Sequence, residues 1–240
     1  MQAAATVPLS RDDARRHLLQ GFGLSFLAGY VDTLGFISLF GLFTAHVTGN
    51  FILIGASLAD PRQASILLKF LAFPAFIGGV AAARILVALV SRRNGQALVL
   101  ALLLQLLLLG GFMVCGMLAS PIGDTVTPYA MAAGLLGAAA MGVHSAVSRL
   151  LLAHLAPTSM MTGNVTQLVN DGVDLLAGWA DKGTGERCVK FLWPLAGFAL
   201  GAVLAAFAYR AAGFAALGLP LLILALLIAA ERRGTGITPG

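Results

Sequence analysis

Apolar positions run along this chain in long unbroken blocks, unlike the alternation of a half-buried strand or the narrow stripe of a soluble amphipathic helix. Windows free of Asp, Glu, Lys and Arg cover residues 95–122 (28 residues), 125–148 (24), 191–209 (19) and 211–230 (20). Each is long enough for a helix across a hydrocarbon core about 30 Å thick. Residues 24–43 and 70–90 join them if one charge each is tolerated, Asp32 in the first and Arg84 in the second. The pattern predicts an all-α integral membrane protein with six transmembrane helices. Two further stretches are ambiguous. Residues 44–59 number only 16, and residues 158–178 carry Asn164, Gln167, Asn170, Asp171 and Asp174, a costly set for a lipid-facing helix. As short segments that enter and return they leave six spans; as crossings they make eight.

Composition removes the other classes. With 59% hydrophobic and 10% charged residues, far below the roughly 25% charge of a soluble domain, the chain lacks the polar surface of a globule in water, and disorder is excluded for the same reason. The net charge of +5 does not point to nucleic acid, because the basic residues are dispersed between apolar runs and read as topology signals. With six spans and a cytoplasmic N-terminus, the inner segments hold Arg11, Arg15, Arg16, Arg92, Arg93, Arg149, Lys182, Arg187, Lys190, Arg232 and Arg233, against Arg62, Lys69 and Arg210 outside. That is 11 to 3, and eight spans would give 10 to 4. Residues 1–17 read as a retained cytoplasmic end, since no short apolar region with a cleavage site follows the arginines, and residues 234–240 as a C-terminal tail. Tyr129, Trp193 and Tyr209 fall near span ends, as interfacial aromatics do.

A repeat organises the membrane part. Thr48-Gly49-Asn50 returns as Thr162-Gly163-Asn164, Gly29 to Asp32 falls opposite Gly142 to Ser145, Lys69-Phe70-Leu71 matches Lys190-Phe191-Leu192, and Ala75, Gly79 and Ala83 match Gly197, Gly201 and Ala205. Each half, residues 18–120 and 125–233, then reads as span, short segment, span, span. Three crossings per half would make the halves inverted, a plan that in transporters places sites near the midplane where broken segments meet. The stripes of small residues at Gly197/Gly201 and Ala75/Gly79/Ala83 are expected to be packing faces.

Polar residues at membrane depth are the candidate site. Ser25, Gly29, Asp32 and Gly35 share one face of a helix, so Asp32 is expected to point into the bundle. In the first short segment, His46, Thr48, Gly49 and Asn50 offer donors, acceptors and a flexible turn; Thr162, Gly163, Asn164 and Gln167 do so in the second, with His144 and Ser145 on the preceding span. The two segments would meet and line a cavity, and His46 and His144 would relay protons with Asp32. The competing reading makes Asp32 a structural hydrogen-bonding group, the histidines packed and Thr48 a helix cap. Asp171 and Asp174 read as a solvated helix end. Cys115 and Cys188 have no thiol neighbour in sequence, and Met160-Met161 reads as packing, so no disulfide, metal or cofactor is expected. No catalytic motif is present, and no enzyme is expected.

The run Gly29-Tyr30-Val31-Asp32, then Thr44-x-His46-x-Thr48-Gly49-Asn50, with Met141 to Ala146 and Met161 to Asn164 in the second half, resembles the YoaK family of bacterial membrane proteins, a domain of unknown function. The resemblance covers about residues 18–230 and departs where His144-Ser145 stand in place of a Gln-Asn pair. It implies a multi-pass inner-membrane protein and supplies no substrate or reaction. Together the residues predict a transporter or channel for a small polar solute in the lipid bilayer, with Asp32 the group through which protons would couple. The alternative is a non-transporting sensor or assembly subunit.

Overall fold

The computed structural model describes residues 11–59, 65–90 and 96–234. Among them the regular structure is all helical: α1 (Arg11–Ser38), α2 (Gly49–Ala59), α3 (Ile66–Val90), α4 (Ala97–Ala119), α5 (Pro128–Leu150), α6 (Met161–Ala177), α7 (Thr184–Ala212), a 3-10 turn (Gly213–Leu217) and α8 (Gly218–Gly234). Arg62, Arg92, Arg93, the first ten residues and the last six lie outside the described residues.

Five stretches are long and apolar enough to cross a membrane: Arg16–Ser38, Ile66–Val90, Ala97–Ala119, Pro128–Leu150 and Thr184–Arg233; Gly49–Ala59 is a shorter apolar helix. The last stretch has 50 residues and would reach about 75 Å if straight. It does not run straight, because Gly213 takes φ 57 and the 3-10 turn separates α7 from α8. Helices whose outer faces carry Leu107, Leu118, Phe207 and Leu226 in the open require lipid as their solvent. The protein is a multi-pass membrane protein.

Helix ends differ from the apolar windows because backbone hydrogen bonding continues past the last apolar residue. Thus α1 begins at Arg11 and α7 at Thr184, each adding polar turns to its window. At α5, Thr127 caps as its preceding position suggests, accepting from Ala130 N at 3.2 Å ahead of Pro128. After α1 the chain breaks where Phe40 and Gly41 take φ 55 and 72, a left-handed pair that only glycine adopts freely. Residues 44–59 therefore divide into irregular chain and α2, and residues 158–178 into irregular chain and α6.

α1 and α5 form the centre: along their apolar stretches 72% and 67% of residues are buried, against 17% in α3 and 33% in α4. α1 lies along α7 and α3 along α5, both through glycine. A β-carbon on Gly29 would strike the Phe198 carbonyl, and one on Gly201 the Phe26 carbonyl; Gly79 faces the Ala139 carbonyl and Gly142 the Phe76 carbonyl in the same way. These are backbone-to-backbone approaches of small-residue packing. Phe22 opposite Gly197 and Phe26 opposite Gly201 make α1 and α7 parallel. Arg16 to Glu231 and Tyr30 Oη to the Ala216 carbonyl make α8 antiparallel to α1. Leu68 meets Gly134 and Gly79 meets Ala139, so α3 and α5 are parallel. The Lys69 ammonium donates to the Phe40 carbonyl at 2.8 Å, so α3 starts at the end where α1 stops. α2 packs on α3 and α6 on α7; the two short helices do not touch.

Candidate functional site

The small, polar face of α1 is buried as its spacing requires: Ser25 is fully covered and Asp32 is 4% exposed. At Gly35 a β-carbon would meet Thr44 Cγ2 at 2.8 Å, so the glycine lets the chain after α1 fold back over the helix. Asp32 holds that chain. Its Oδ1 accepts from Thr44 N and Ala45 N at 2.7 Å each and from Thr44 Oγ1 at 3.3 Å, while Oδ2 lies 2.7 Å from His46 Nδ1. Successive backbone N–H groups on one carboxylate oxygen are charge-assisted bonds that satisfy donors no helix serves. With its proton on Nδ1 the imidazole donates to Oδ2. The His46 side chain is 39% exposed and its ring stands edge-on to Phe198 at 5.6 Å.

Asn50 closes the same loop from the α2 side. Its Nδ2 donates to the Phe43 carbonyl at 2.8 Å, and its Oδ1 accepts from Phe43 N at 2.9 Å. Thr48 is exposed immediately before the first residue of α2, Gly49, which lies against the Phe43 ring.

In the second half Asn164 Nδ2 donates to the Pro157 carbonyl at 2.7 Å, but its buried Oδ1 has no protein partner. Pro157, seven residues before Asn164 as Phe43 is before Asn50, has no N–H to give. His144, 1% exposed, bonds Thr158 Oγ1 through Nε2 at 2.9 Å and Gln105 Nε2 through Nδ1 at 3.1 Å. Thr158 N in turn donates to Ser148 Oγ at 3.4 Å. Thr162 and Gly163 are exposed on the first turn of α6, and Gln167 and Ser145 are half-buried.

The chain thus joins Asp32 with His46, and His144 with Thr158, as two separate clusters. The expected meeting of the two TGN segments does not occur, since Asn50 and Asn164 are each turned onto their own loop. The clusters are linked instead through α5. Thr44 packs at Gly137, and His144 lies seven residues further on the same face, about 10 Å along the axis. Gln105, Thr158, Phe198 and the burial of Lys69 are absent from the sequence reading. For Gln105 the signal is a lone amide in a leucine-rich run. Asp171 is a correction: it is 2% exposed, not solvated, because Arg187 of α7 reaches its Oδ1 at 3.2 Å. Among the described residues no three His, Cys, Asp or Glu side chains stand together as metal ligands. A cavity of about 560 Å³ opens where α1 and α7 begin and includes neither Asp32 nor either TGN segment.

Comparison with known proteins accords with this architecture. A curated relative, "UPF0700 transmembrane protein YoaK" of Bacillus subtilis (strain 168), is 38% identical over 64 residues, 27% of this chain and 28% of that protein. The match therefore spans little more than a quarter of the relative's length. No solved structure matches. The family described as "Protein of unknown function (DUF1275)" matches residues 20–230, nearly all of the membrane part, and the chain belongs to this YoaK-like family.

Proposed function

We propose that the chain is a bacterial inner-membrane transporter or channel for a small polar solute, with its N-terminus inside, and that Asp32 and His46 couple it to protons. The observation that carries this reading is an ionisable pair, 2.7 Å apart, at a non-helical break packed inside the helix bundle. Charged groups at that depth are costly and tend to mark pathways. The proposal assigns no catalysis to the protein. Six crossings arranged as an inverted duplication support it. The shift of 113 residues that carries Gly29 onto Gly142 also carries Phe26 onto Ala139, and the shift of 122 that carries Gly79 onto Gly201 carries Phe76 onto Phe198. The four glycine approaches are then two pairs, each relating one half to the other. A shift of 114 likewise carries Asn50 and Phe43 onto Asn164 and Pro157. With α2 and α6 returning to the side they left, α1 and α5 run in opposite directions. The test is uptake into liposomes holding the purified protein and a pH-sensitive dye, screened across amino acids, nucleobases, sugars and metabolic acids. A solute-dependent proton flux lost in Asp32→Asn is expected. Solute uptake whose pH dependence survives Asp32→Asn removes Asp32 from the mechanism.

A second reading, a non-transporting sensor or assembly subunit, is favoured by a different observation. The side chain of Asp32 bonds residues 44–46, and the 560 Å³ cavity stops short of it. Absence of flux for every solute class, with the protein folded, would favour this reading.

A further inference from the structure

We propose that the cavity at the start of α1 and α7 binds an acidic phospholipid, its phosphate held by Lys190, His17 and His154 and its acyl chain lying against Trp193. The site is independent of transport. Its walls come from α1, the irregular chain between α5 and α6, and α7, with an apolar floor that includes Leu18, Leu155 and Pro194. The His17 and His154 rings are 4.5 Å apart at the rim. The charged groups facing them are Lys190 and Glu186 on α7 and Glu231 on α8. Glu231 is already engaged, pairing with Arg16 at 3.1 Å and accepting from Gln20 at 2.7 Å. Lys190 makes no ion pair among the described residues. Burial first, then the neighbouring His17 and Lys190, hold His154 below the ordinary histidine range, with Glu231 acting in the opposite sense. Lys190 thus brings to the rim an ammonium without an ion-pair partner, beside two imidazoles whose ring N–H groups can donate to an anion.

The surroundings favour a lipid as its source. Val189, Leu192 and Trp193 are 50%, 48% and 42% exposed on the same stretch of α7, so the apolar wall continues onto the lipid-facing surface. Tryptophan is enriched at headgroup level, and basic pockets between membrane helices bind acidic headgroups.

The test uses Trp179→Phe, which leaves Trp193 as the only tryptophan. In phosphatidylcholine nanodiscs, dibrominated phosphatidylglycerol should quench Trp193 about twofold or more better than dibrominated phosphatidylcholine at the same mole fraction. Lys190→Gln should abolish the difference. Lys182→Gln, which removes an exposed charge that does not line the cavity, should keep it. If Lys190→Gln does not fold, the double change His17→Gln/His154→Gln serves the same purpose. Equal quenching by the two lipids, or equal loss in the Lys182 and Lys190 variants, overturns the proposal. Quenching by dibromostearate that phosphatidylglycerol does not displace assigns the cavity to a free acid and overturns it as well.

Discussion

Replacing Asp32 separates holding the broken segment from moving a proton. Asp32→Ala removes the acceptor of both Thr44 N–H and Ala45 N–H. A buried donor left unpaired costs about 1–3 kcal/mol, so the two together cost about 2–6 kcal/mol before the lost contact with His46. Asp32→Asn retains a carbonyl oxygen for those donors and loses only the charge assistance, roughly half the strength of such a bond. It also sets an N–H₂ against His46 Nδ1, which must then turn acceptor. The expected cost is about 1–2 kcal/mol. At about 2–4 °C per kcal/mol for a chain of this size, the asparagine variant should melt a few degrees below the parent. The alanine variant should melt on the order of 10 °C or more below it. Tryptophan fluorescence during heating in one detergent reads both. An alanine variant as stable as the parent would refute the claim that the carboxylate holds residues 44–46. An asparagine variant falling as far as alanine would refute the hydrogen-bond arithmetic.

Three further outcomes follow from the packing. Gly201→Ala drives a methyl group into the Phe26 carbonyl while Gly78→Ala meets nothing within 4 Å, so the first should lose about 1–3 kcal/mol in melting experiments and the second almost nothing; equal effects would argue against the close approach of α1 and α7. In a six-span arrangement, an impermeant maleimide should reach Gly123→Cys from outside and Lys182→Cys from inside, and labelling of Gly123→Cys only from the cytoplasm would support eight spans. His154 binds its proton less readily folded than unfolded. The unfolded state therefore takes up more protons as pH falls below about 6.5, and stability should drop on acidification and recover above it. His154→Asn should flatten that part of the pH profile of unfolding, and an unchanged profile would place the effect elsewhere.

The solvent of this protein was legible in its residues alone, because runs of about 20 apolar residues with so few charges have no other stable environment. The inward face of α1 was legible too, since Ser25, Gly29, Asp32 and Gly35 recur at helical spacing and small residues allow close packing. The small-residue stripes at Gly79 and Gly201 proved to be packing faces for the same reason. What spacing cannot carry is the partner. Whether Asn50 faces a cavity or its own loop depends on how far Phe43 folds back, and that depends on clearance at Gly35. The clustering of Gln105, His144 and Thr158 needs α4, α5 and the irregular chain after α5 in register, three segments drawn from across 54 positions of sequence. The pairing of His17 with His154 likewise waits on the parallel docking of α1 and α7. Hydrophobic transfer is a sum over residues and can be read along the chain; a hydrogen bond between distant residues exists only once packing has set both ends within about 3 Å.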